Sequence, residues 1–211
     1  MRGGWIKICG VRDLGELEAC LEAAPDAVGL NLVPGSRRRV DLETARELRA
    51  ALRGRAEAVG VFVDAGAEQL REVQRALELD WLQLHGSESE ELIEALEAEG
   101  HRVLRACRPG SADARALEAL ARLPARRLLI DAPGPEAGGT GRPAHREAAR
   151  RLAREWPVIL AGGLRPENVA EAIRAVRPAG VDVASGVEGE DGRKDPRKVR
   201  AFVERAREAL G

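Results

Sequence analysis

The chain has 211 residues, of which 44% are hydrophobic and 33% charged, so it carries enough apolar material for a full core and fits one α/β domain, residues 1–211. Its 34 basic residues nearly cancel its 35 acidic ones. The resulting net charge of -1 provides no global field for nucleic acid or an anionic membrane, and any anion site must be local.

No apolar run reaches the roughly 20 residues needed to span a bilayer, and Met1-Arg2-Gly3-Gly4 leads into a strand-like run rather than a signal-peptide core. A cytoplasmic protein with no membrane partner is the expectation. Cys9, Cys20 and Cys107 are odd in number, far apart and without CxxC spacing, which points neither to a disulfide framework nor to a metal site.

Short β-branched runs at 5–9, 27–32, 57–63, 80–84, 102–107, 127–131, 157–161 and 180–184 read as strands. Between them, 13–24, 41–53, 66–78, 88–99, 112–122, 143–155, 166–176 and 195–210 carry apolar residues at helical spacing. Ser87 with Glu90 fits a capping box, Pro166 suits a first helical turn, and Asp195-Pro196 reads as a cap followed by proline. Eight strand–helix units in this length describe a compact (β/α)8 barrel. An open doubly wound sheet is the alternative, since strand counting cannot see closure, but the even spacing favours the barrel.

Barrels of this kind place their sites at the carboxyl ends of the strands, so the residues leaving each run are the informative ones. Cys9-Gly10 leaves the first. Cys20, in step with Leu17, Leu21 and Ala24, reads as packing, and Cys107 is given no role. The second run exits into Ser36-Arg37-Arg38-Arg39, where one guanidinium can hold a carboxylate in bidentate fashion, although a triple arginine is usually a solvated surface run. His85 leaves the fourth, with a bond to a neighbouring loop as its plain reading. Asp131 leaves the sixth, before a glycine-rich stretch to Gly141 that reads as a lid or as a simple flexible turn. Gly162-Gly163 and Ser185-Gly186 leave the last two, where glycines let backbone N–H groups approach an anion and a short helix from Ser185 would aim its positive end at the same point.

Lys7-Ile8-Cys9-Gly10, Gln83-Leu84-His85-Gly86, Asp131 with Gly138-Gly139-Thr140-Gly141, Ala161-Gly162-Gly163-Leu164, and Val181-Asp182-Val183-Ala184-Ser185-Gly186-Val187-Glu188 with Gly192-Arg193-Lys194-Asp195 together resemble phosphoribosylanthranilate isomerase of tryptophan biosynthesis. The motifs run in register from the first strand to the last helix. The resemblance implies a barrel of the ribulose-phosphate-binding type, and the sequence leaves monomer or homodimer open. It also implies an Amadori rearrangement of N-(5-phosphoribosyl)anthranilate to the 1-deoxyribulose phosphate, without metal or organic cofactor. By resemblance the general base maps onto Cys9 and the general acid onto Asp131. Arg38 then contacts the anthranilate carboxylate, though Arg37 or Arg39 could substitute. Lys7, His85 and Asp182 are assigned to substrate binding, and Gly162, Gly163, Ser185 and Gly186 to the phosphate. Ala184 and Pro143-Ala144-His145 depart from the usual pattern. Another sugar-phosphate isomerase on the same barrel and a non-catalytic phosphate-ligand sensor are the alternatives.

Acid–base work by a thiol and a carboxyl carries a cost. At ordinary pKa values, about 3% of Cys9 is thiolate at pH 7 and about 0.1% of Asp131 is protonated, so the working pair lies roughly 6 kcal/mol uphill. Lys7 or nearby backbone dipoles are expected to lower the thiol, and burial to raise the acid.

Overall fold

The computed structural model describes residues 4–107, 127–131 and 143–211. Eight parallel strands, β1 (Trp5–Cys9), β2 (Ala27–Asn31), β3 (Glu57–Phe62), β4 (Trp81–Leu84), β5 (Val103–Cys107), β6 (Arg127–Asp131), β7 (Val158–Ala161) and β8 (Gly180–Val183), close into a barrel, β8 pairing with β1. The open-sheet alternative is thereby set aside. Around them lie α1 (Leu14–Leu21), α2 (Leu42–Leu52), α3 (Ala67–Leu77), α4 (Glu90–Ala98), α5 (Pro143–Leu152), α6 (Val169–Val176) and α7 (Pro196–Leu210). The helix expected at 112–122 and the glycine-rich stretch 132–141 lie outside the described residues.

Strand alternation divides the apolar residues into two cores. Ile6, Ile8, Val28, Leu30, Leu82 and Leu84 face outward and pack with Leu17, Leu48, Ile93 and Phe202 from the helices. Ala27, Val59, Trp81, Leu104, Leu129 and Ile159 fill the interior. On β1 this parity turns Lys7 and Cys9 inward together, one layer apart, and register sets Cys9 beside Gly29 and Lys7 beside both Ala27 and Asp182. The interior is thus apolar in its lower part and polar at the carboxyl ends.

Helix starts follow local capping chemistry. The carboxylates of Asp13, Asp41 and Asp195 each accept a first-turn backbone N–H. Two expected starts shift. Ser89, not Ser87, caps α4, because Ser87 N–H is already committed to the Asp64 carboxylate at 2.7 Å. Pro166 lies in a turn before α6, which begins three residues later, after the Asn168 side chain has accepted the Arg165 N–H at 2.9 Å.

Candidate active site

A cavity of about 340 Å³ opens at the carboxyl ends of the strands. Cys9, Asn31, Arg38, Gln83, His85, Asp131, Gly162, Gly163, Asp182, Ser185 and Gly186 all contribute to its wall. Residues separated by up to 177 positions in the chain meet there only because the barrel closes.

The floor is built on β1 and β8. Lys7 is fully buried and donates to Asp182 Oδ1 at 2.9 Å. Among the described residues it is not part of the cavity wall, which holds Cys9 and Asp182. Burial alone would lower the Lys7 pKa, but the Asp182 carboxylate and the Cys9 sulfur facing it hold the ammonium above its ordinary value. For Cys9 the balance is the reverse. Burial pushes the thiol up and outweighs Lys7, whose pull is partly cancelled by the negative charge of Asp182. The expected lowering of the thiol is therefore overturned in direction, although Lys7 acts with the expected sign. Gly29 leaves the space that this cluster needs, since a Cβ there would lie 2.8 Å from Cys9 Sγ and 3.0 Å from Lys7 Nζ.

Asp131 ends β6 with 27% of its side chain exposed, and its Oδ2 lies 3.7 Å from His85 Nε2. The other ring nitrogen of His85 is 3.3 Å from Gln83 Nε2. Gln83 is itself buried, and its carbonyl oxygen has no partner among the described residues.

Of the three consecutive arginines, Arg38 turns inward. Its side chain is 20% exposed against 65% for Arg37, and Arg39 is exposed. Ser36 Oγ accepts the Arg38 N–H at 3.2 Å and so tightens the turn. Gly10, at φ +80°, supports the aliphatic stem, and a Cβ on it would fall 2.4 Å from Arg38 Cδ.

On the opposite wall, Gly162 and Gly163 both take left-handed backbone, φ +87° and +61°, and Gly186 sits so close to the β7 loop that a Cβ would fall 1.8 Å from Leu164 O. The short helix expected from Ser185 is a single 3-10 turn, Ser185–Val187.

A model of the N-(5'-phosphoribosyl)anthranilate isomerase family matches residues 6–205. The chain belongs to this family. An N-(5'-phosphoribosyl)anthranilate isomerase from Afipia carboxidovorans is 43% identical over 97% of this chain and 89% of its own. The crystal structure of phosphoribosyl anthranilate isomerase from Thermotoga maritima superposes with a TM-score of 0.85 at 35% identity, covering 96% of this chain and 98% of that one. A solved isomerase in complex with reduced 1-(o-carboxyphenylamino)-1-deoxyribulose 5-phosphate gives a TM-score of 0.82 at 32% identity, with 96% and 98% covered. The protein is thus an isomerase acting on phosphoribosylanthranilate, in tryptophan biosynthesis.

Within this isomerase, four residues in or near the cavity wall escape a reading of strand ends alone. Glu188 is buried behind the arginines, Lys194 is buried beside it, and Gln83 and Asn31 reach the wall from strand positions. Strand parity could have marked Gln83, two residues before His85 and on the same face. No local signal marks Glu188 as an arginine anchor, since its two arginine partners lie about 150 residues away. Cys20 and Cys107 lie outside the cavity wall among the described residues, with thiols pushed up by burial to about 12 and about 11.

Proposed function

We propose that Cys9 is the base and Asp131 the acid of the isomerisation, with the whole chain, 1–211, as one catalytic unit. The observation that carries this reading is a single cavity whose wall holds a thiol, a carboxyl, a guanidinium and two glycine turns. The substrate N-(5-phosphoribosyl)anthranilate offers three matching handles: a phosphate, a furanose and an aryl carboxylate. Backbone N–H groups at Gly162-Gly163 and Ser185-Gly186 take the phosphate. Arg38 takes the carboxylate, Asp182 and His85 border the sugar, and Lys7 acts from below by placing Asp182 and Cys9. The complex of a relative with reduced 1-(o-carboxyphenylamino)-1-deoxyribulose 5-phosphate supports a ligand of this shape and charge.

Asp131 passes its proton to the furanose oxygen, whose bond to C1 breaks as the nitrogen lone pair forms the C1–N double bond. The ring opens to a protonated Schiff base. The cation beside C2 acidifies the C2 proton and favours a thiolate facing it, which offsets the upward push of burial on Cys9. The thiolate takes the C2 proton, the electron pair moves to form the enolamine, and tautomerisation gives the ketone. A base thiol must stay reduced, so we place the protein in a reducing compartment, the cytoplasm; all three cysteines are free.

Substrate deuterated at C2 tests which atom Cys9 works on. Cys9→Ser should enlarge the isotope effect as C2 deprotonation becomes limiting, whereas an isotope effect of unity in that variant would contradict the assignment.

A further inference from the structure

The Glu188 carboxylate is buried, with only 5% of its side chain exposed, yet it sits among three cations. Arg38 donates to it through Nε at 2.5 Å and Nη2 at 3.0 Å, Arg37 through Nη2 at 2.7 Å, and Lys194 through Nζ at 3.1 Å. Its backbone carbonyl also accepts Lys198 Nζ, at 2.7 Å. Burial would raise the carboxyl, but the hydrogen bonds and charges of Arg38 and Lys194 hold it below the ordinary range, so it is ionised at neutral pH.

A guanidinium has two bidentate edges, one formed by Nε and Nη2 and the other by Nη1 and Nη2. Glu188 occupies the first. Arg38 lines the cavity, and its second edge has no hydrogen-bond partner among the described residues. A flexible arginine loses rotamer freedom when it binds an anion; one already held on its inner edge has lost it beforehand. Glu188 adds a negative charge near an incoming carboxylate, but Arg37, Arg38 and Lys194 leave the group of four with a net positive charge.

We infer that Glu188 is a positioning residue for substrate specificity: it fixes Arg38 through one guanidinium edge so that the other is presented, already oriented, to the aryl carboxylate of the substrate. The inference rests on the reading of Arg38 as the carboxylate receptor. It accounts for the placement of Gly10, whose backbone carries the Arg38 stem directly after Cys9 and so keys the receptor to the base.

The test compares two stable ligands, reduced 1-(o-carboxyphenylamino)-1-deoxyribulose 5-phosphate and the same compound made from aniline, which lacks the carboxylate. Binding is measured by calorimetry for the parent, Glu188→Gln, Glu188→Asp and Arg38→Met. Glu188→Gln should weaken the carboxylate ligand about 10- to 100-fold, the size of a lost charge-assisted contact, and the aniline ligand by less than about threefold. Glu188→Asp, still ionised, should recover part of the preference. Equal weakening of both ligands in Glu188→Gln, or a preference kept in full, would overturn the role of Glu188. If that variant does not fold, a Glu188→Asp preference unchanged from the parent or lost together with aniline-ligand binding does the same. A preference kept in Arg38→Met would instead remove the underlying reading of Arg38.

Discussion

Lys7 and Cys9 share the inner face of β1, and what each can do depends on Asp182. Paired with Lys7 at 2.9 Å, Asp182 keeps the ammonium charged in a fully buried place but also weakens its pull on the thiol, and burial, the larger effect, keeps Cys9 protonated in the ligand-free site at neutral pH. The kcat/KM of the parent should therefore rise with pH, on a limb centred above the ordinary thiol value of about 8.5. Lys7→Met removes the attraction and leaves Asp182 facing the sulfur, so the limb should move to higher pH, with a larger loss of activity at pH 7 than at pH 10. It should also cost about 3–5 kcal/mol in urea unfolding, as expected when one partner of a buried pair is removed. A limb that moves to lower pH would contradict this arrangement. The thiol carries a linked effect on stability. Its folded pKa lies above the unfolded one, so its contribution is fully present below about pH 8.5 and is lost as pH rises through the folded value.

At the scale of elements, the site depends on how closely neighbouring strand exits approach. Gly186 is a tight point, with Leu164 O 1.8 Å from where a Cβ would stand. Gly186→Ala should push the β7 and β8 turns apart and raise KM for the phosphorylated substrate by about tenfold or more, with a smaller change in kcat; an unchanged KM would show that the phosphate lies elsewhere. Much of this was legible in the sequence, because strand exits follow from periodicity and because cysteine, aspartate and paired glycines at those exits have few structural reasons to be there. Arg38 could not be told from its neighbours, since inward orientation depends on the Ser36 turn and on Gly10 below it. Nothing in its motif shows that Lys7 is paired with Asp182, 175 residues away. The register error at Ser87 has a similar origin, in a loop-to-loop bond to Asp64 that competes with the cap.

Across the whole molecule, the two ends of the barrel divide the work. Opposite the cavity, Glu57 at the start of β3 accepts the indole N–H groups of Trp5 and Trp81, each at 2.9 Å, and Arg102 at 2.5 Å, while Arg102 also stacks over Trp81 at 4.0 Å. This cluster closes the interior from below and, among the described residues, contributes none of the cavity wall. Glu57→Gln should lower unfolding stability by about 1–3 kcal/mol and leave kcat/KM at 25 °C within about twofold of the parent. A large loss of activity in a folded Glu57→Gln protein would tie the two ends together. The acid–base pair at the other end is tested most directly by the decay of anthranilate fluorescence when freshly made phosphoribosylanthranilate meets the parent, Cys9→Ser and Asp131→Asn. The parent should consume the signal rapidly and each variant at least about a hundredfold more slowly, whereas a variant that turns over near the parent rate would contradict the role given to that residue.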